Sequence, residues 1–250
     1  GPGGDSGTFV VSRNNFVLGQ SSVPSNPNYY LRWNQTVAPT GTHGLGTHLE
    51  GVATLSGKQV TLSFYARLGS GVFPLAINFQ QNFGTSGSPS TTVITNIVSG
   101  GVLTSEWTLY TYNITIPSIS GKVLGTDNND YFGIYFTTPA SNTWLFEIAQ
   151  VQLEAGSVAT DFEHRSYGEE LALCQRYYYS PGSFGYGSNY ASAFSYEVTY
   201  PVTMRDIPTV VIVVSSGTSS SIRNKKEQFS AYYTGTSVGY ITSFTADAEL

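Results

Sequence analysis

Three kinds of residue in this chain could carry hydrolytic or metal chemistry, and their spacing argues against most of it. Gly235-Thr-Ser237-Val-Gly239 is the single G-x-S-x-G string. A nucleophile elbow needs that serine on a strand–turn–helix, with an acid and then a histidine later in the chain. No histidine follows Ser237, so the string reads as a hairpin turn. His43, His48 and His164 form no i, i+4 pair and have no cysteine partners for a metal, and they read as turn or surface residues. Glycoside hydrolysis needs two carboxylates about 5–10 Å apart across a cleft. Glu50, Glu106, Asp127, Asp130, Glu147 and Glu154 stand singly, so spacing assigns no pair. Asp127-Asn-Asn-Asp130 offers hard oxygen ligands but lacks the glycine and distal glutamate of a calcium loop, and it reads as a turn. The expectation is a chain with no catalytic residues, no cofactor and no metal ligands of its own motif.

Recognition of a sugar asks for less: an aromatic surface against the C–H face of a pyranose, and planar polar groups for its hydroxyls. Tyr65, Arg67, Asn78, Gln80, Tyr131 and Tyr135 supply both on the polar sides of alternating segments. The same side chains also suit an ordinary solvent face or a trimer contact, which is the commoner role of such a face. Residues 184–196, rich in tyrosine, form a second candidate surface, since tyrosine gives rigid contact area with a polar tip. Trp33, Trp107 and Trp144 are expected to fill the core or the space between sheets.

The elements that would position these side chains are short strands. Residues 9–152 alternate apolar and polar positions between Gly, Pro, Asn and Ser clusters, with no long helical period. Val60, Leu62, Phe64, Ala66 and Leu68 share one face of a strand, opposite Thr61, Ser63, Tyr65 and Arg67. Leu75, Ile77 and Phe79 repeat the pattern opposite Ala76, Asn78 and Gln80, and Phe132, Ile134 and Phe136 repeat it opposite Tyr131 and Tyr135. Further strands are expected at 28–37, 107–116 and 143–153, together a two-sheet sandwich. Ser166-Tyr-Gly-Glu169 has the form of a capping box, predicting a helix of about three turns whose apolar stripe is Tyr167, Leu171, Cys174 and Tyr178, with the cysteine buried. Strands are then predicted at 192–200, 208–214, 228–234 and 239–245. The run at 210–214 (VVIVV) has no polar face and is expected to be covered on both sides.

Composition agrees with this reading. Of 250 residues, 40% are hydrophobic and only 11% charged, against about 25% charged in an ordinary domain. The surface must therefore be built from Ser, Thr, Asn, Gln and Tyr, which suits pleated sheets. A net charge of −5 argues against a nucleic-acid partner, because binding a phosphate backbone needs clustered cations. The one basic run, Arg223-Asn-Lys-Lys226, is short and precedes Glu227, and it reads as a solvated turn. No apolar stretch approaches the ~20 residues that cross a bilayer, so no membrane insertion is expected. Cys174 is the single cysteine, which rules out a disulfide within the chain. Gly1-Pro2-Gly3-Gly4 looks like a protease-cleavage remnant and spacer.

Several strings resemble modules of bacteriophage tail and fibre proteins: residues 48–67 (HLEGVATLSGKQVTLSFYAR), 81–90 (QNFGTSGSPS), 151–165 (VQLEAGSVATDFEHR) and 169–178 (EELALCQRYY). Residues 201–208 (PVTMRDIP) and the ending at 246–250 (ADAEL) are similar to the terminal segment of the same proteins. Ser86 stands where the turn in such modules carries a second glycine. The resemblance implies a galactose-binding-like jelly roll of the kind found among carbohydrate-binding modules, in a homotrimeric virion component at the distal end of a fibre. It also implies a host surface polysaccharide or lipopolysaccharide as partner, contact with other virion proteins, an extracellular location, and, by family analogy, a structural calcium.

The expected architecture is thus all-β: a remnant at 1–5, a jelly-roll β-sandwich at 6–163, a connecting helix at 164–179, and a small C-terminal β-domain at 180–250 that forms the trimer or the receptor-binding tip. Attachment to a host glycan through weak sites displayed in several copies is the leading function. A purely architectural virion part without a ligand and a polysaccharide depolymerase are the rivals.

Overall fold

A computed structural model of the chain describes residues 7–138, 141–182, 186–188, 194–216, 219–233 and 239–249. The chain separates into two units, Gly1–Glu163 and His164–Leu250. The remnant at 1–5, most of the tyrosine-rich stretch at 184–196, and Ser237 lie outside the described residues.

Among the described residues the first unit contains nine strands: β1 (Thr8–Asn15), β2 (Tyr29–Val37), β3 (His43–Glu50), β4 (Gln59–Gly71), β5 (Leu75–Asn82), β6 (Val93–Gly101), β7 (Thr108–Thr115), β8 (Tyr131–Thr138) and β9 (Trp144–Ala155). They pair antiparallel into a five-stranded sheet, β1-β2-β9-β4-β7, and a four-stranded sheet, β3-β8-β5-β6. This is a jelly-roll β-sandwich. Alternation makes its core: Val60, Leu62, Phe64 and Ala66 from β4 pack with Leu75, Ile77 and Phe79 from β5 and Phe132, Ile134 and Phe136 from β8, all buried. Trp33 and Trp144 meet edge to face in the same core at 5.2 Å. Trp107 does not join them; it is half-buried beside Phe16 and Tyr30, because it shares the parity of Leu109 and Thr111, the outward set of β7.

Polar ties close the unit. Gln150 adopts a left-handed backbone (φ 49°), and the register of β4 against β9 shifts there. Such a bulge bends the strand and leaves one residue unpaired. Beyond it, Gln152 Nε2 donates to the carbonyl of Asp161, and its Oε1 accepts from the amide of Glu163 at 2.8 Å. Glu154 accepts from both the amide and the hydroxyl of Thr160, and those bonds hold its carboxyl below the usual range. The string at 151–165 is therefore a clamp, in which two side chains on β9 fasten the segment that leaves the sandwich.

In the second unit, α1 (Tyr167–Gln175) opens on the expected capping box, with Ser166 and Glu169 each accepting from the other's backbone amide. Its apolar stripe is not buried. Tyr167, Leu171 and Cys174 are exposed, and no residue of the helix is buried, because no described strand of the unit packs over that stripe. The strands are β10 (Tyr178–Tyr179), β11 (Tyr186–Ser188), β12 (Phe194–Thr199), β13 (Thr209–Ser216), β14 (Ser219–Asn224), β15 (Gln228–Tyr233) and β16 (Gly239–Asp247). β16 pairs with β10 and β11 and also with β13, while β12-β15-β14 form a second sheet. Tyr200, Met204, Phe229, Ala231, Phe244 and Ala246 lie in the core between these elements. The run at 210–214 is covered on one side only: Val210 is buried, whereas Val211 and Val213 are 57% and 51% exposed. Arg223 and Asn224, expected in a turn, belong to β14, and the turn follows them.

Candidate functional site

The four-stranded sheet of the first unit turns a row of side chains outward. Residues paired across β3, β8, β5 and β6 fall in line: Gly46, Tyr135, Asn78 and Asn96 in one row, and His48, Gly133, Gln80 and Ile94 in the next. Three rings converge on Gly133. His48 stacks on Tyr131 with centroids 3.8 Å apart and planes at 14°, and its Nε2 lies 2.6 Å from the Tyr135 hydroxyl. A Cβ on Gly133 would meet the Tyr135 ring at 2.5 Å and the Tyr131 ring at 3.2 Å, and one on Gly46 would meet Tyr135 at 2.5 Å. Glycine at these two positions lets the tyrosines lie down against the backbone. Burial pushes the His48 pKa below its ordinary value and, together with a bond to Tyr131, pushes the Tyr135 phenol up. Both are therefore neutral near pH 7. Beside them Gln80 Nε2 donates to Asn78 Oδ1 at 3.3 Å. The result is a half-buried aromatic cluster flanked by amides, able to stack on a ring and to donate and accept without a net charge.

Of the six residues anticipated for sugar contact, the structure brings Asn78, Gln80, Tyr131 and Tyr135 onto this face. Tyr65 and Arg67 lie on the outer face of the other sheet, since β4 belongs to the five-stranded layer. His48, expected in a turn or on the surface, is half-buried on the outer face of the sheet, in β3 at the centre of the cluster. The signal for it was the alternation Gly44, Gly46, His48 against Leu45, Thr47, Leu49, which glycine and threonine blur.

On the five-stranded sheet, Glu147 is fully buried between two arginines. Its Oε1 accepts from Arg32 Nε at 2.7 Å and its Oε2 from Arg67 Nε at 2.5 Å. The carboxylate raises the Arg32 pKa. Arg32 also donates to the Tyr30 hydroxyl at 3.0 Å, and the Arg67 guanidinium lies 5.1 Å from the Trp107 ring centre.

Asp127, Asp130 and Glu154 are used as structural ties. Asp127 accepts from the hydroxyls of Thr85 and Ser86, which hold its pKa down. Ser86 has φ 57°, in the region that favours glycine, and its bond to Asp127 offsets the strain of a side chain there. Asn129 accepts from the Thr85 amide and Asp130 from that of Val52. These oxygens are occupied by internal donors, two of them on Thr85, so the stretch at 127–130 is tied as a turn. Among the described residues no group of three or more His, Cys, Asp or Glu side chains is placed to hold a metal ion.

A cavity of about 580 Å³ opens at the side of the sandwich where β1 and β2 part from β3. Leu31, Leu45, Ile134, Phe136, Ile148 and Val151 line it, and it contains none of the six anticipated side chains.

No protein-family model matches the sequence, and no curated protein matches it. Among solved structures, the chain is similar to the CBM22-2 xylan-binding domain of Xyn10C from Paenibacillus barcinonensis, at 16% identity and a TM-score of 0.38, over 62% of this chain and 94% of that one. The CBM22-1 xylan-binding domain of the same protein aligns at 13% identity and a TM-score of 0.37, over 62% and 88%. The enzymatically active domain of tailspike protein 4 from bacteriophage CBA120 aligns at 12% identity and a TM-score of 0.36, over 61% of this chain but 19% of that one. At identities and TM-scores this low, the likeness assigns neither a ligand nor an activity.

Proposed function

We propose that the chain is a glycan-recognition component of a phage fibre, which uses the outer face of the four-stranded sheet to attach to a host surface polysaccharide or lipopolysaccharide. One observation carries the reading: His48, Tyr131 and Tyr135 converge over two glycines and stand in register with the amides of Asn78 and Gln80. A cluster of neutral rings bordered by planar amides matches the amphipathic surface of a sugar, whose C–H faces are apolar and whose rim is hydroxylated. The resemblance of residues 48–67, 151–165 and 169–178 to phage fibre modules supports the virion setting. The exposed Val211 and Val213 on β13 support contact with further copies of the chain, and a trimer of the kind the resemblance implies would multiply a weak site by effective concentration.

A binding role also agrees with four of the acids. A glycosidase acid needs a raised pKa, whereas Asp127, Glu154, Glu169 and Asp206 are all lowered by hydrogen bonds. Glu147 is occupied by two arginines. The test is a glycan array and whole-cell binding with Tyr131→Ala and Tyr135→Ala. Loss of binding by both variants with unchanged thermal unfolding is expected. Undiminished binding would move recognition elsewhere, and release of sugar from host polysaccharide would make the chain a depolymerase.

A further inference from the structure

The outer face of the five-stranded sheet has a charge that its structural task does not explain. Arg32, Glu147 and Arg67 are adjacent across β2, β9 and β4, one carboxylate between two guanidiniums. Neutralising a buried carboxylate takes one arginine, and Arg32 does so with two of its nitrogens, Nε at 2.7 Å and a terminal nitrogen at 2.5 Å, both on Oε1. Arg67 leaves a net positive charge on a chain whose total is −5. Among the described residues Nε is its one hydrogen-bonded nitrogen, donating to Glu147 Oε2, while the guanidinium plane lies over Trp107. Among the described residues neither terminal amino group of Arg67 makes a hydrogen bond, and its side chain is 32% exposed.

An apolar cluster borders that guanidinium. Trp107 lies under it, with the guanidinium carbon over one face of the ring 5.1 Å from its centre, and Phe16, Tyr30 and Trp107 meet one another with ring centroids 4.9–5.4 Å apart. Two free, coplanar N–H groups are the fork that takes a carboxylate in bidentate fashion, and an adjoining aromatic cluster gives the ring carrying that carboxylate an apolar surface. A plain salt bridge at the surface would not need the second feature, and an apolar docking patch would not need the first.

We propose that this face is a second binding site, on the opposite layer from the neutral cluster at His48, for a sugar ring that bears a carboxylate. Arg67 holds the carboxylate, Trp107 takes the ring, and Arg32 with Glu147 positions Arg67 without touching the ligand.

The experiment is isothermal titration of the full chain with galacturonate oligosaccharides, their methyl esters of equal length, and acetate at matched carboxylate concentration. Binding of the acid, a loss of at least tenfold for the ester, and no displacement by acetate are expected, since the site needs both charge and ring. Arg67→Gln leaves Glu147 bonded to Arg32, and Trp107→Ala leaves the ion pairs intact; each is expected to weaken the acid at least tenfold. Tyr135→Ala is expected to leave acid binding unchanged, which separates failure here from failure of the neutral site. Equal binding of acid and ester, no binding of the acid, displacement by acetate, or undiminished binding by both variants overturns the proposal. The acid-to-ester comparison uses the unaltered chain and holds even if a variant misfolds.

Discussion

His48 on β3 and Tyr135 on β8 are joined by a 2.6 Å contact between Nε2 and the phenol, although 87 residues separate them in the chain. Burial keeps that imidazole neutral by lowering its pKa from 6.5. The sign follows: the unfolded chain binds the proton more readily than the folded one, so stability falls as pH drops below about 6.5 and levels off once the folded-state pKa is passed. An NMR titration of the His48 ring is expected to show a midpoint below 6.5, with stability declining over the same window. A midpoint at or above 6.5 would mean that the ring is solvated and the cluster open.

The glycine floor predicts a separation of binding from stability. In Gly133→Ala the new methyl meets the ends of two tyrosine rings, which can swing away, so the fold survives while the cluster is spoiled. Glycan binding is expected to fall about tenfold, or ~1.4 kcal/mol, with unfolding changed by less. Gly46→Ala places its methyl 2.8 Å from the carbonyl oxygen of Ile134, which is backbone and cannot swing. It is expected to destabilise the first unit measurably. Urea unfolding and titration with the array hit distinguish the two outcomes, and equal stability of both variants would contradict the argument.

In the second unit, Tyr200 is 5% exposed and its hydroxyl has no hydrogen-bond partner among the described residues. Burial pushes its pKa up to about 12. Leaving a buried donor unmade costs roughly 1–3 kcal/mol, so removing the oxygen relieves a penalty and breaks no bond. Tyr200→Phe is expected to stabilise the chain by about 1 kcal/mol in denaturant. Destabilisation would reveal a partner for the hydroxyl.

Alternation made the sandwich legible before any coordinates. The inward sets on β4, β5 and β8 follow from period two alone, and Ser166 and Glu169 announced the helix start. What alternation does not contain is the sheet to which a strand belongs. Tyr65 and Tyr135 both face water, but β4 and β8 sit in different layers, so a site composed from polar faces divided into two. His48 was obscured because glycine and threonine carry little hydropathy signal. β14, with its run of serines, lacked the apolar alternation that marks a strand. The valine run on β13 showed that a face is apolar without showing what lies over it.

That valine face leads to an assembly prediction. Val211 and Val213 leave a continuous apolar strip on β13, and β13 pairs with β16 along one edge only among the described strands. Light scattering at micromolar concentration is expected to give the mass of a trimer, and Val211→Asp together with Val213→Asp is expected to lower it. A monomeric unaltered chain would remove the multivalency on which the proposed glycan attachment depends.

Glu147 provides the sharpest stability test, because its charge has no access to water while both arginines keep about a third of their side-chain exposure. Removing one partner from a buried ion pair costs about 3–5 kcal/mol, since the remaining charge is stranded. Here the stranded charges are cations that solvent reaches in part, which places Glu147→Gln near the lower end, at about 3 kcal/mol. Arg67→Gln should cost less, because Glu147 keeps its ion pair with Arg32 at Oε1 and loses only the donor to Oε2. Urea unfolding of the two variants gives the ratio directly. Similar losses would mean that both arginines serve the fold alike, leaving no surplus guanidinium to meet a ligand, whereas a large loss for Glu147→Gln beside a small one for Arg67→Gln identifies Arg67 as the arginine that the sandwich can spare.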